Sequence, residues 1–311
     1  MASKSPSFKP ASPPLGRKGS FALAGDDERQ LLFGLPKKGR LYEKCLALLE
    51  GAGIRYTRRH RLDIALCRTL PITLVFLPAS DIAQYVGEGN VDMGITGLDI
   101  IKEQGVRVDT LMELGFGKCR LCVQGPVGQY QGAKELCGKR IVTSFPNLAK
   151  KYFEELEPET KTSVRYVSGS VEAACSLGLA DAVVDLVETG TTMRAAGLEI
   201  VSKVMDTETL LIGNPNSEHK ELMELVKRRI EGHLVAQRSR LMKYNIERKN
   251  LHKAILITPG HESPTITSLD DADWVSVSAL VKAKEQNEIM DELEAVGAKS
   301  ILILAVANAR F

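Results

Sequence analysis

Short apolar runs, each about as long as one strand and each closed by a turn and a helical pattern, recur along this chain from Gln30 onward. That alternation limits the folds open to it. Leu31-Leu32-Phe33-Gly34-Leu35 reads as a buried strand stopped by Pro36, and Leu41, Cys45, Leu48 and Leu49 then share one face of a helix. Ile72 to Leu77 is the next strand. Ser80 or Asp81 is expected to cap a helix with Ile82, Tyr85 and Val86 on its inner face. Val91 to Ile95, Ile141 to Thr143, Val164 to Val167 and Ala182 to Val187 continue the series. Alternating β and α elements of this kind predict an α/β part with right-handed crossovers and a mainly parallel sheet.

Near residue 216 the pattern changes. A helix over about Glu218 to Arg238 carries Leu222, Val226, Ile230 and Leu234 at i+4 steps. Beyond it the sequence reads β over 240–246, α over 247–253, β over 254–258 with 265–268 as its resumption, β over 274–282, α over 285–296 and β over 300–306. Trp274 to Leu280 alternates with period two, so one face is buried and one is wet. The order βαββαβ is the ferredoxin-like plan. Small appended domains of this plan often hold an effector, which the fold by itself does not establish.

Residues 1–25 differ from the rest. They are rich in Ser and Pro, basic, and free of acid before Asp26. Too little apolar surface is present there to offset ordering entropy, so the segment reads as a mobile tail, with an organelle transit peptide as the other reading. Over all 311 residues, 41 basic against 39 acidic side chains leave a net charge of +2, and aromatics are only 5%. Neither a polyanion-binding field nor a base-stacking surface follows, so nucleic acid is not expected as a partner. No apolar run approaches the ~18 residues of a membrane span. The six cysteines are unevenly spaced with no secretory signal, which favours free thiols. Cys119 and Cys122 form a CxxC with no second pair, inside what reads as a strand.

The richest chemistry lies in Asp181-Ala-Val-Val-Asp185-Leu-Val-Glu188-Thr189-Gly190-Thr191-Thr192. A strand ends there in a hydroxyl-rich turn that opens a helix. Unpaired amides at a helix start carry partial positive charge and donate to a phosphate placed there. Thr189, Thr191 and Thr192 add hydroxyls, Gly190 allows close approach, and Asp185 could hold both hydroxyls of a ribose. Alternatively the threonines cap a helix and Asp185 is a solvated strand-end acid. Lys37, Lys38, Gly39 and Arg40 form a second junction, where clustered cations oppose the helix dipole unless a polyanion fills the site. A solvated surface cluster is the competing reading. Gly169-Ser170-Val171-Glu172, with Ser170 as cap, and Asp92 to Asp99, with Gly94, Thr96 and Gly97, make two more. Loops after strands line the crevice where open α/β sheets bind ligands. No nucleophilic triad, HExxH, Gly-x-Ser-x-Gly or Walker A pattern is present, which disfavours covalent hydrolysis and hydride transfer.

Taken together, Lys38-Gly-Arg-Leu41, Gly94-Ile-Thr-Gly97, Gly169-Ser-Val-Glu172, Asp181 to Thr192 and Thr258-Pro-Gly-His-Glu-Ser-Pro-Thr265 resemble the long-form ATP phosphoribosyltransferases of histidine biosynthesis, in their fungal version. The likeness runs from about Arg29 to Phe311. It implies two lobes like a type II periplasmic binding protein, the first over 26–116 with 202–215 and the second over 117–201, followed by a histidine-binding regulatory domain over 216–311. It further implies that N1 of the ATP adenine joins C1 of phosphoribosyl pyrophosphate, with release of pyrophosphate. The sugar's 5-phosphate would lie on Thr189 to Thr192 and its ribose near Asp185. Within the matching motifs, Gly39, Thr96, Gly97, Asp99, Glu172, Asp181 and Glu188 would complete the substrate site. Lys38, Arg40 and Arg61 would face the phosphates, and Mg²⁺ would ride on the diphosphate rather than on a protein cage. Asn245, Thr265, Leu280 and Ser300 would contact histidine as inhibitor. The family implies a cytoplasmic homo-oligomer, dimer to hexamer. A two-lobed binding protein that holds an anionic metabolite without chemistry is the rival reading.

Overall fold

The computed structural model describes residues 30–58 and 62–311. The expectations for residues 1–25 and for Arg61 lie outside the described residues. From Leu31 to Phe311 the chain forms one unit built on three sheets.

The first sheet is assembled from β1 (Leu31–Pro36), β2 (Tyr56–Thr57), β3 (Ile64–Cys67), β4 (Ile72–Leu77), β5 (Met93–Gly97) and β6 (Asp109–Glu113), with α1 (Arg40–Gly51), α2 (Ala79–Gly87) and α3 (Leu98–Gln104) between them. The second takes β7 (Cys119–Pro126), β8 (Arg140–Thr143), β9 (Ser163–Tyr166), β10 (Ala182–Val187) and β11 (Leu198–Thr207), with α4 (Pro146–Leu156), α5 (Ala173–Ser176) and α6 (Thr191–Ala195). A final strand, β12 (Thr209–Gly213), returns to the first sheet and slots between β5 and β6, giving the order β2-β3-β4-β1-β5-β12-β6. The chain therefore crosses between lobes twice, from β6 to β7 and from β11 to β12. This is the two-lobed plan that the resemblance implied.

The expectation of a mainly parallel sheet is corrected. In the first sheet only β1 runs parallel to its neighbours, β4 and β5, and β12 is antiparallel to both of its own. In the second, β10 with β8 and β8 with β9 are parallel, whereas β7 pairs antiparallel with β10 and β11. A strand buried on both faces looks alike in either direction, and β12 is buried at every residue. The return crossing falls at Glu208, beyond the expected boundary at 201/202, because β11 continues along β7 through two register shifts. The helix expected to be capped by Ser80 or Asp81 starts instead after Pro78, with no side-chain cap.

α7 (Lys220–Gln237) leads into the last sheet. Its Met223, Val226, Ile230 and Leu234 are buried in the same core as Leu31, Phe33 and Leu74 of the first lobe. Each such side chain contributes about 1.5–3 kcal/mol of burial, so the helix belongs energetically to the first lobe and not only to the domain after it. Beyond α7 come β13 (Ser239–Glu247), α8 (Leu251–Ile257), β14 (Thr265–Ser268), β15 (Trp274–Lys282), α9 (Gln286–Ala295) and β16 (Lys299–Ala305). Their order in the sheet, β14-β15-β13-β16, with antiparallel pairs throughout, is the ferredoxin-like arrangement. The strand expected at 254–258 is the end of α8. Leu251, Ala254 and Ile257 fall on one helical face against Tyr244 and Val277, and the second strand is Thr265–Ser268 alone. Among the described residues no helix is long and apolar enough to cross a membrane.

Candidate active site

The two crossings meet at the floor of a cleft. Lys118, Cys119 and Arg120 from the first, Asp206, Thr207 and Glu208 from the second, and Leu98, Val187 and Glu188 line a pocket of about 510 Å³. Beneath it, the Asp99 amide donates to Thr207 Oγ1 at 3.0 Å, and that hydroxyl donates to Asp99 Oδ1 at 2.8 Å. Leu98 N–H donates to the Glu208 carbonyl at 3.0 Å. Burial raises the Asp99 pKa, with the Thr207 hydrogen bond opposing it. A Cβ at Gly97 would collide with Asp99 Oδ1, so a larger residue there would displace the carboxylate that Thr207 holds. Burial pushes the Cys119 thiol up to about 11, helped by Asp99 and Glu188 and opposed by Arg40. Cys122, three residues on along a strand, points into the opposite core, so the CxxC does not converge.

On the second lobe, β10 delivers Asp185 half-buried toward the cleft. Its Oδ1 accepts the Leu186 N–H at 2.8 Å. Desolvation raises its pKa, the Leu186 hydrogen bond lowers it, Glu172 raises it and Arg40 lowers it. The chain then turns at Gly190, whose φ of +74° favours glycine and whose Cβ would meet Arg194 Nη1 at 2.8 Å. Arg194 Nη2 donates to the Thr189 carbonyl at 3.0 Å, and the Thr189 and Thr191 hydroxyls are 3.0 Å apart. Thr189, Thr191 and Thr192 are exposed, as a ligand-binding turn requires. Glu172 and Thr192 share the wall of a neighbouring pocket of about 430 Å³.

From the first lobe, Gly39, at φ +88°, opens α1 and carries Arg40 across the cleft, where its guanidinium pairs with the Glu188 carboxylate. Lys37 Nζ lies 3.8 Å from Asp63. Lys38 is exposed and joins no ion pair among the described residues. The structure thus brings the Lys38-Gly39-Arg40 and Asp185 to Thr192 segments together.

Other expectations are corrected. Asp92 to Asp99 is not a loop: β5 runs straight into α3. Thr96 is fully buried and donates to the Ala79 carbonyl at 3.3 Å, and Asp99 is buried with its carboxylate on Thr207. Asp92 is likewise structural, accepting from Leu32 N–H at 2.8 Å and Ser217 Oγ at 2.9 Å. Ser170 does not cap α5 through its side chain; it adopts φ +48°, and its carbonyl accepts the Ala173 amide at 3.2 Å. Asp181 precedes β10, at the far end of that strand from Thr189. Arg140 holds it through Nη2 at 2.8 Å, Nε at 3.1 Å and the backbone amide at 2.9 Å. Those contacts lower its pKa to about 2. Because the folded value lies below the unfolded one, its contribution to stability is present above about pH 4 and is lost as pH falls toward 2. Asp181→Ala is therefore expected to lower Tm by a few degrees at pH 7 and to leave KM and kcat within about twofold, since the pair is partly solvent-screened. Melting curves at pH 7 and pH 3, with steady-state rates, check this.

In the C-terminal sheet, Asn245, Ser276 and Thr267 form one cross-strand row, and Lys243, Ser278 and Thr265 the next; Leu280 and Leu241 form the third, all on the face turned away from α8 and α9. β16 shifts register beside Asn245, where Ser300 adopts φ +52°. Sequence reasoning missed Ser276, whose buried Oγ has no hydrogen-bond partner among the described residues. It also missed Lys118, Arg120 and Glu208. The available signal was the polar run Asp206-Thr207-Glu208-Thr209 placed between apolar strands.

A family model described as ATP phosphoribosyltransferase matches residues 78–232, and one described as HisG, C-terminal domain, matches 236–308. Curated proteins named ATP phosphoribosyltransferase are similar along most of the chain. That of Eremothecium gossypii is 50% identical over 287 residues, and that of Saccharomyces cerevisiae 49% over 288, each alignment covering 90% of this chain and 97% of the relative. The ATP phosphoribosyl transferase (HisG:HisZ) complex from Thermotoga maritima contains a chain that superposes with a TM-score of 0.56 at 27% identity, covering 65% of this chain and 99% of that one.

Proposed function

Because this chain belongs to the ATP phosphoribosyltransferase family, we propose that its two lobes close on phosphoribosyl pyrophosphate at the turn after β10 and on ATP across the cleft. The enzyme is a pentosyltransferase of the first step of histidine biosynthesis. It joins N1 of adenine to C1 of the ribose with loss of pyrophosphate. The observation that carries the site assignment is the meeting of Arg40 from one lobe with Glu188 from the other, beside Asp185 and the Thr189–Thr192 turn.

Adenine N1 brings its own lone pair, so the reaction needs no strong base. As the C1–O bond to pyrophosphate lengthens, positive charge gathers on the sugar and negative charge on the leaving group. Asp185 holds the ribose hydroxyls and lies near the developing cation. Thr189, Thr191 and Thr192 fix the 5-phosphate, with Gly190 giving clearance. Arg40 and Lys38 meet the leaving diphosphate, so catalysis rests on positioning and charge stabilisation. Among the described residues no cluster of three His, Cys, Asp or Glu side chains could cage a metal. Mg²⁺ carried by the substrate phosphates would neutralise charge on the leaving group, beside Lys38 and Arg40.

We assign the open face of the C-terminal sheet to histidine as inhibitor, through Asn245, Thr265, Leu280 and Ser300. The bulge beside Asn245 supports that assignment. Arg238, where α7 meets β13, packs against Gly115 in the first crossing, a route from that domain to the cleft floor. Leu241, Leu302 and Leu304 are exposed on the same face, which suits contact with a second copy in a homo-oligomer. Six free thiols suit the reducing cytoplasm.

Mixing the full chain with ATP, phosphoribosyl pyrophosphate and Mg²⁺, with a pyrophosphatase present, is expected to give the near-ultraviolet rise of an N1-ribosylated adenine. A flat trace from folded protein that still binds phosphoribosyl pyrophosphate would favour the binding-protein reading.

A further inference from the structure

On the cleft floor, Glu208 Oε2 is buried and accepts no hydrogen bond among the described residues. Its nearest cation, Lys118 Nζ, stands 3.8 Å away, beyond hydrogen-bond range. Such an oxygen is costly to leave without a donor. The Glu208 main chain is meanwhile fixed, its carbonyl accepting Leu98 N–H at 3.0 Å, so the side chain cannot drift far from the crossing. The pocket it lines, about 510 Å³, has room for a purine ring. Glu188 shares that pocket and continues directly into the Thr189–Thr192 turn, so a ring seated there is next to the sugar whose phosphate the turn holds.

We propose that Glu208 is a specificity-determining residue that accepts a hydrogen bond from the exocyclic 6-amino group of the adenine of ATP. The proposal rests on the reading of the cleft given above. The 6-amino group is attached to the carbon beside N1, the attacking atom. When the N1 lone pair forms the bond to C1, the C1–O bond breaks and its electron pair leaves with pyrophosphate. The ring then carries a positive charge shared between N1 and the amino nitrogen. A carboxylate at that nitrogen binds the amidinium-like product of attack more strongly than neutral adenine, and the amino proton stays on nitrogen until the product meets solvent. A 6-oxo purine presents an oxygen in the same place and is repelled, so the residue both selects and assists.

Titration calorimetry of ATP and of inosine triphosphate, on the full chain and on Glu208→Gln, separates the possibilities without requiring turnover. The glutamine can turn its NH₂ toward a 6-oxo group. ATP is expected to bind about tenfold more weakly to the variant and inosine triphosphate about tenfold more tightly, as expected when a charged hydrogen bond is lost and a repulsion removed. Binding of phosphoribosyl pyrophosphate should be unchanged. If Glu208→Gln is unstable, Glu208→Asp keeps the charge but draws it back by one methylene, and should weaken ATP while still excluding the inosine nucleotide. Unchanged affinities for both nucleotides in a folded variant would make Glu208 only an ion-pair partner of Lys118 between the crossings and overturn the proposal. A wild-type chain that binds ATP over inosine triphosphate but forms no product would leave this inference standing and remove the assigned reaction.

Discussion

Asp185→Ala is expected to lower kcat/KM by about 10²–10³-fold, the loss of two charge-assisted hydrogen bonds to the ribose hydroxyls. Histidine binding should be unaltered, because the C-terminal sheet shares no residue with β10. Asp185→Asn tests the electrostatic part separately. The asparagine oxygen still accepts the Leu186 N–H, so the local fold survives, but the charge facing the sugar is gone. Burial raises the Asp185 pKa in the folded chain above its unfolded value. The folded state thus holds the proton more tightly, and ionisation works against folding as pH rises through both values. Removing the acid should therefore raise Tm at pH 7, with the gap closing below about pH 4. Steady-state rates together with melting curves at the two pH values check both halves. A variant that is less stable at pH 7 and fully active would show a strand-end acid and no clamp.

The β10 turn stood out in the sequence because its residue types are unusual locally, whereas the pairings on the cleft floor join residues far apart in the chain. Asp185, Gly190 and the threonines have side chains whose types make little sense as packing, and they stand at a strand end. Thr96 and Asp99 look the same on paper. Yet β5 enters α3 without a loop, so Thr96 is buried against the Ala79 carbonyl and Asp99 against Thr207 of the second crossing. Thr207 lies 108 residues away, and local spacing carries no trace of the pairing. Asp181 misled for a related reason. It belongs to the same motif, but the six residues of β10 separate it from the Thr189–Thr192 turn, and Arg140 pairs with it at the far end of that strand. The ferredoxin-like order emerged from the sequence because Trp274 to Leu280 alternates cleanly. The run Ala254-Ile-Leu-Ile257 did not sort itself, since four apolar residues suit a strand or a buried helix turn equally. The return strand Thr209–Gly213 lies within 202–215, the segment that the resemblance assigned to the first lobe. Its antiparallel register against Met93–Gly97 depends on the second crossing, which only the assembled lobes define.

Arg40→Ala is expected to lower kcat by about 10²–10³-fold, the usual cost of deleting one preorganised group that stabilises transition-state charge. Arg40 is a first-lobe cation whose charge reaches Asp185, Glu188 and Cys119 of the second lobe, partly offsetting the burial that raises the pKa of Asp185 and of Cys119. In the absence of substrate it is held by Glu188. When the diphosphate enters the cleft, the guanidinium can serve both carboxylate and phosphate, because its planar fork presents several donors at once. Removing it leaves Glu188 facing the diphosphate with no counter-charge. Glu188→Ala should consequently cost less than Arg40→Ala, and the double variant should be no worse than Arg40→Ala alone, because the repulsion disappears with the acid. Arg40→Lys keeps the charge and loses the fork, and is expected to fall between wild type and alanine. Single-turnover rates for the four variants at one ionic strength check the ordering. Strict additivity of the two alanine substitutions would mean that Arg40 and Glu188 act independently, and that their pairing across the cleft has no part in holding the leaving group.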